Sequence, residues 1–175
     1  MKTSAILALS LMLIFSCTQV IFENPQPMDG KSLNKIPTEL QGSYSFVILN
    51  EETIMEIGEN FINGDDGKAY LSDSVVLKKV GNRYVVNKLI TQADDETKGK
   101  WQAYVLEDKG CGFVKATSFF INSDSYVQPF LAYSKGTQVG EGQEKSIIVN
   151  ATADQFNTIL ADDSITVSMI LERIK

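Results

Sequence analysis

The chain contains no histidine and only two cysteines, Cys17 and Cys111. Without histidine, Ser-His-Asp and Cys-His catalysis, His-ligated zinc sites and histidine pH switches are all excluded. Only Cys111 lies in the body of the chain, and one thiol builds neither an internal disulfide nor a thiolate metal site. We therefore predict a protein that is not an enzyme and has no metal and no cofactor.

Basic residues are also scarce. Lys and Arg together number 16 against 22 Asp and Glu, which gives a net charge of −6 at pH 7. Nucleic-acid binding requires Lys and Arg to displace counterions from phosphates, so we predict no nucleic-acid partner. The acidity keeps a protein soluble, and it also favours association with a cationic protein.

Three polar or reactive groups are candidate binding or catalytic sites, and each has a simpler interpretation. The segment 63–67 (Asn-Gly-Asp-Asp-Gly) lacks the alternating ligands and the bidentate Glu of a calcium loop, which favours an acidic hairpin turn. Asp94, Asp95 and Glu96 are consecutive on a polar stretch, which is typical of a solvated loop. Cys111 lies between two glycines with no neighbouring base, which indicates an inert thiol.

The N-terminus carries a basic residue followed by a short apolar stretch. After Lys2, residues 5–15 form an apolar run of roughly 11 residues, shorter than the roughly 20 that span a bilayer. Such a segment is typical of an export signal. It ends at Cys17, preceded by Ser16 and, at the third position back, Ile14.

This arrangement resembles the lipobox of bacterial lipoproteins. The resemblance implies a leader over residues 1–16, cleavage before Cys17, and attachment of fatty acids such as palmitate to Cys17, which anchors the protein to a membrane. An ordinary signal peptide cut at another site is the alternative interpretation. The layout also resembles small lipoproteins of Gram-negative bacteria, which implies an outer-membrane location, facing the periplasm or the cell surface.

The sequence divides into a connecting segment and one domain. We expect residues 17–41 to hold the lipidated cysteine and a tether, because Pro25 and Pro27 favour an extended backbone. Val20, Ile21 and Phe22 are unusually apolar for a tether and are expected to lie on the domain or near the bilayer. Residues 42–175 are predicted to form a single β domain.

Short β-rich runs alternate with turn signals through that domain. Tyr44, Phe46 and Ile48 alternate with smaller residues, a period of two typical of a strand. Near the end, Thr152 is a good helix cap and Phe156 and Ile159 recur at helical spacing. We predict an all-β or β-rich α+β fold: an antiparallel meander that closes into a barrel or sandwich, with one short helix before the last strand.

Two features resemble lipocalins and related small barrels. Gly42, Ser43 and Tyr44 open the first strand like the Gly-X-Trp of that family, with Tyr in place of Trp. Arg173 on the last strand is similar to the basic residue that caps the aromatic ring. The resemblance implies a Tyr44–Arg173 contact and a lipocalin-like barrel, although a helix before the last strand departs from the lipocalin order.

Aromatic residues are distributed over several predicted strands and are the candidate lining of a ligand cavity. Packing in an ordinary core is the alternative interpretation. We predict a lipid-anchored protein that binds a small apolar ligand; the alternative is a protein-interaction module, such as an inhibitor of a lysozyme-type hydrolase. The candidate cavity residues are Tyr44, Tyr84, Trp101, Tyr104, Phe113 and Phe119.

Overall fold

The computed structural model describes residues 18–48, 51–64, 67–91, 96–141 and 145–175, apart from the side chain of Ile48. Within these residues the strands are β1 (Thr18–Phe22), β2 (Ser32–Leu33), β3 (Gly42–Ile48), β4 (Glu51–Ile57), β5 (Phe61–Gly64), β6 (Gly67–Tyr70), β7 (Val75–Val80), β8 (Arg83–Leu89), β9 (Trp101–Gly110), β10 (Phe113–Ile121), β11 (Thr137–Val139), β12 (Ser146–Val149) and β13 (Thr166–Arg173). The helices are α1 (Asp124–Ser134) and α2 (Ala153–Leu160), and a single 3-10 turn covers Thr38–Leu40.

The strands form one curled, mostly antiparallel sheet in the order β2-β7-β8-β9-β1-β10-β13-β3-β4-β5-β6. Strands β9 and β10 also pair directly, and β12 extends the sheet from β1 in the parallel direction. Among the described residues no pairing joins the end strands β2 and β6, so the sheet is an open half-barrel. The predicted antiparallel, β-rich meander is confirmed.

The sheet buries apolar side chains on both faces, in two separate cores. Along β8, Val85 belongs to one core, whereas Tyr84 and Val86 belong to the other, because successive residues of a strand point to opposite faces. The outer core lies on the convex face beneath α1, α2 and β12. The inner core lies inside the curl, against the 3-10 turn. The outer core includes Phe22, Phe119, Phe130, Ile147 and Phe156.

Both helices pack on the convex face. The predicted helix before the last strand is confirmed as α2: Thr152 caps its start, and Gln155 completes a reciprocal capping box. Pro129 lies inside α1 and removes a backbone donor. Ser123 caps this helix, and the burial of Val127 and Phe130 in the outer core compensates for the lost hydrogen bond.

The expectation of a tether over residues 17–41 is wrong for the described part of this segment, residues 18–41. Residues 18–22 form β1, which pairs with β12 on one edge and with the splayed ends of β9 and β10 on the other. Val20, Ile21 and Phe22 are 2%, 1% and 0% exposed. Although two prolines follow this apolar triplet, its burial fixes the segment to the folded body. The folded body therefore includes residues 18–41 as well as the predicted domain from Gly42.

The residues after β1 are fixed to the convex face by two buried polar side chains. The Asn87 side chain accepts a hydrogen bond from the backbone N–H of Gln26 at 2.6 Å and donates one to the Gln26 carbonyl at 2.8 Å. The Lys78 ammonium donates to the carbonyls of Pro25 and Pro27 at 3.0 and 2.9 Å, and burial lowers its pKa. These bonds satisfy backbone groups that the prolines leave outside any sheet.

From there the chain passes round the edge of the sheet. β2 pairs with the outer edge of β7, and the following residues Ile36 and Leu40 are 1% and 0% exposed in the inner core. One segment thus supplies the edge strand β2 to the sheet, and it supplies residues 36–40, which we call the plug, to the concave side.

We predict that Asn87→Ala lowers the free energy of unfolding by about 2–4 kcal/mol, because it removes a buried partner and leaves the Gln26 N–H unsatisfied. Urea denaturation followed by circular dichroism measures the change. Asn82→Ala is the matched control, since Asn82 is exposed in a turn. Equal, small effects of the two substitutions would contradict the role given to Asn87.

Candidate functional site

The concave side of the half-barrel contains a cavity of about 380 Å³. Strands from both halves of the curl contribute to its wall, with β3 to β6 on one side and β7 to β10 with β13 on the other. Its lining is mainly aliphatic, aromatic and thioether carbon. The lining residues are Phe46, Met55, Ile62, Gly64, Gly67, Ala69, Val75, Val86, Lys88, Tyr104, Leu106, Ala116, Thr117, Ser118 and Met169.

The strand registers define the two ends of this cavity. Lys88 lies opposite Val75, and Tyr104 lies opposite Ser118, so these residues lie toward one end of the cavity. Leu106 pairs with Ala116, one step deeper. The end that carries Lys88 and Ser118 is polar, and we call it the polar end.

The opposite end is closed by Tyr44 and Arg173, which lie directly across from each other on β3 and β13. The Arg173 guanidinium carbon is 5.4 Å from the centroid of the Tyr44 ring, within cation–π range. Arg173 Nη2 also donates to the Tyr44 hydroxyl at 2.8 Å and to the Glu39 carbonyl. The contact predicted from the lipocalin resemblance is therefore present.

The Tyr44 hydroxyl connects this contact to the 3-10 turn. It donates to the Leu40 carbonyl at 2.8 Å while it accepts from Arg173, so a fully buried hydroxyl has two partners. Gly42 is required beside it: a Cβ there would lie 2.8 Å from the Lys175 carbonyl and 3.0 Å from Arg173 Nε. The Gly-Ser-Tyr opening is thus explained by close approach of the last strand.

Glu39 and Tyr84 complete the closed end. The Tyr84 hydroxyl donates to the Glu39 carboxylate at 2.8 Å, and Lys79 Nζ lies 5.2 Å from the Tyr84 ring centroid. The backbone N–H of Glu39 and the Tyr84 hydroxyl lower the pKa of the Glu39 carboxyl. Burial and the same carboxylate raise the pKa of Tyr84. These groups hold the plug, and they do not face the cavity.

The six aromatic residues predicted to line a cavity are found in four different places. Tyr104 lines the cavity. Tyr44 and Tyr84 lie in the inner core at its closed end. Trp101 and Phe119 lie in the outer core on the other side of the sheet, and Phe113 is 39% exposed at the start of β10.

Most lining residues were not predicted, because they are ordinary strand residues. The period of two in β10 places Val114, Ala116 and Ser118 on one face, and that pattern was available from the sequence. Which face would enclose a cavity depends on the curl of the sheet and on where the plug lies. Small residues at Ala69 and Ala116 were the available signal of space beside the larger side chains.

The remaining candidate residues lie partly within and partly outside the described parts of the chain. Within the described parts, no group of three or more His, Cys, Asp or Glu side chains is arranged to hold a metal ion. Cys111 is exposed in the β9–β10 turn. Cys17, Asp65, Asp66, Asp94 and Asp95 lie outside the described residues. No helix within the described ranges is long and apolar enough to cross a bilayer.

Compared with known proteins, the chain matches no protein-family model, no curated protein and no solved structure.

We predict that Tyr44→Phe lowers the free energy of unfolding by about 1–2 kcal/mol, because Leu40 and Arg173 both lose a hydrogen-bond partner. Tyr70→Phe, which alters a tyrosine that is 53% exposed, is the matched control and should change stability by less than about 0.5 kcal/mol. Urea denaturation measures both. A double-mutant cycle with Arg173→Met tests the contact itself, and strict additivity would contradict the coupling.

Proposed function

We propose that the protein is a non-enzymatic, lipid-anchored cell-envelope protein that binds a small apolar ligand inside the half-barrel. The observation that carries this proposal is the cavity of about 380 Å³, which lies inside the half-barrel and is lined mainly by apolar side chains. Its volume falls in the range of small-molecule sites, roughly 300–1,000 Å³. A curled half-barrel is also compatible with a lipocalin-like ligand-binding fold.

The distribution of polar groups orients such a ligand. Its apolar body contacts Met55, Leu106 and Met169 in the interior, where burial of apolar surface contributes about 25 cal/mol per Å². A polar group on the ligand would lie toward Lys88 and Ser118 at the polar end of the cavity.

The lining is mainly apolar, which suits a binding site for an apolar ligand. Among the described residues that line the cavity, Lys88 and Tyr104 are the titratable groups.

The membrane anchor in this proposal is a lipid on Cys17, in the outer membrane of a Gram-negative bacterium. Thr18 follows immediately and is 1% exposed in β1. A lipid on Cys17 therefore holds the folded body next to the bilayer. The cavity then lies close to a source of apolar ligands.

We predict that Ala116→Phe weakens binding of the fluorescent apolar probe N-phenyl-1-naphthylamine by about tenfold or more, because the larger ring fills the space between Leu106 and Met169. Fluorescence titration of the purified protein measures the dissociation constant. Ala161→Phe is the matched control, because Ala161 is exposed at the end of α2. Unchanged probe binding in Ala116→Phe, with a normal circular dichroism spectrum, would exclude the cavity as the site.

We also predict that cells expressing the full chain incorporate an alkyne-labelled palmitate analogue into it, and that Cys17→Ala abolishes this labelling. Cys111→Ala is the control and should label normally, because its exposed thiol is not in the lipobox-like sequence. In-gel fluorescence after coupling of a dye measures incorporation. Equal labelling of Cys17→Ala and the unaltered chain would remove the anchor from the proposal.

A further inference from the structure

The sheet has a gap between β3 and β13. β13 pairs with β10 over seven positions, from Phe113–Glu172 to Phe119–Thr166. On its other side, the pairing with β3 covers only Glu172–Ser45 and Arg173–Tyr44. Between the described residues of the two strands no further pairing occurs, so they diverge above the closed end.

The backbone of β13 presents hydrogen-bonding groups to this gap. The Arg173 N–H donates toward β10, at Gly112, and the Ile174 N–H donates toward β3, at Ser43. Because these directions alternate along an antiparallel strand, the N–H and C=O groups of Ile170 and Ser168 point toward the gap. Such a row of backbone groups is a template for another strand.

Exposed apolar side chains surround the gap on the convex face. Ile170 on β13, Val47 on β3 and Ile54 on β4 are 53%, 68% and 58% exposed. On the concave face, Met169 and Phe46 line the cavity beside the same gap. An added strand would therefore contact carbon on both of its faces.

Charge on the convex face beside the gap is predominantly negative. Glu172 pairs across from Ser45, Glu52 from Val47, and Glu56 from Ser43, which places the three exposed carboxylates on the same face as Ile170. Lys115, opposite Ile170 on β10, is the nearby cation on that face. This excess favours a partner with basic side chains on the convex side.

We propose that the β3–β13 gap is a docking site for an extended segment of a partner protein, added as a strand along Ser168–Ile170. The segment has alternating chemistry: basic residues face Glu52 and Glu172, and apolar residues face Met169 and Phe46. Backbone hydrogen bonds provide affinity, and the alternation provides selectivity. The site is a strand edge and does not require the proposed cavity ligand, although Met169 and Phe46 belong to the cavity wall as well.

The free protein tests the gap directly by amide hydrogen exchange. We expect the Ser168 and Ile170 amides to exchange rapidly and the Met169 and Leu171 amides, which bond to β10, to be protected. Equal protection of all four amides would show that the gap is closed in solution and would overturn the proposal.

A dye-labelled alternating Lys-Val peptide of about eight residues is the probe for docking, with fluorescence anisotropy as the readout. We expect it to bind and to slow exchange at Ser168 and Ile170. Two peptide controls should bind about tenfold more weakly: an alternating Glu-Val peptide, and a Lys-Val peptide with N-methylated amides along one edge. Absence of Lys-Val binding, or equal binding of the N-methylated peptide, would overturn strand addition.

Two substitutions at one position provide the protein controls. Ile170→Pro removes the N–H that faces the gap and is expected to weaken the Lys-Val peptide about tenfold. Ile170→Thr keeps that N–H and should bind more tightly than Ile170→Pro. Both variants should retain N-phenyl-1-naphthylamine binding, which separates a failure of docking from a failure of the cavity or of folding. Equal peptide binding by the two variants would contradict the role of the backbone.

Discussion

The rest of the structure depends on residues 22–40, a segment that passes round the outer edge of β7. Asn87 and Lys78 fix its first part to the convex face, and β2 pairs with the edge of β7. Leu40 then reaches the inner core, where Tyr44 and Arg173 secure it. Without this segment the outer core would lose β1, and the inner core would lose its plug.

The cavity follows from that arrangement. The 3-10 turn fills one end of the curl, and small residues, among them Ala69 and Ala116, line the remaining space together with larger side chains. Interiors are normally packed to crystal-like density, so space of this size inside the curl supports the proposal of a bound apolar ligand.

The two faces of the sheet are used unequally. Helices and β12 cover the convex face over β8, β9 and β10, where the outer core lies. Over β3, β4 and β13 the convex face remains exposed, with apolar and acidic side chains intermixed. The same region contains the β3–β13 gap, so exposed apolar side chains lie beside backbone groups that face the gap.

Sequence patterns predicted local features well and their placement poorly. The caps of α2, the glycine beside Tyr44 and the contact with Arg173 all follow from residue chemistry or from the lipocalin resemblance. The cavity residues did not, because the six aromatics divide among two cores, the cavity and the surface. The expectation of a tether was wrong because it rested on Pro25 and Pro27, which restrict only the local backbone. Strands more than a hundred residues away bury Val20, Ile21 and Phe22.

By itself, the sequence determined the β-rich class, the absence of histidine, and the alternation that gives each strand two different faces. Only the tertiary structure decided which face became the cavity wall, where the chain closes it, and that Thr18–Phe22 is a central strand. The physical reason is that alternation and capping act within a few residues, whereas the curl of the sheet is set by contacts between strands distant in the chain.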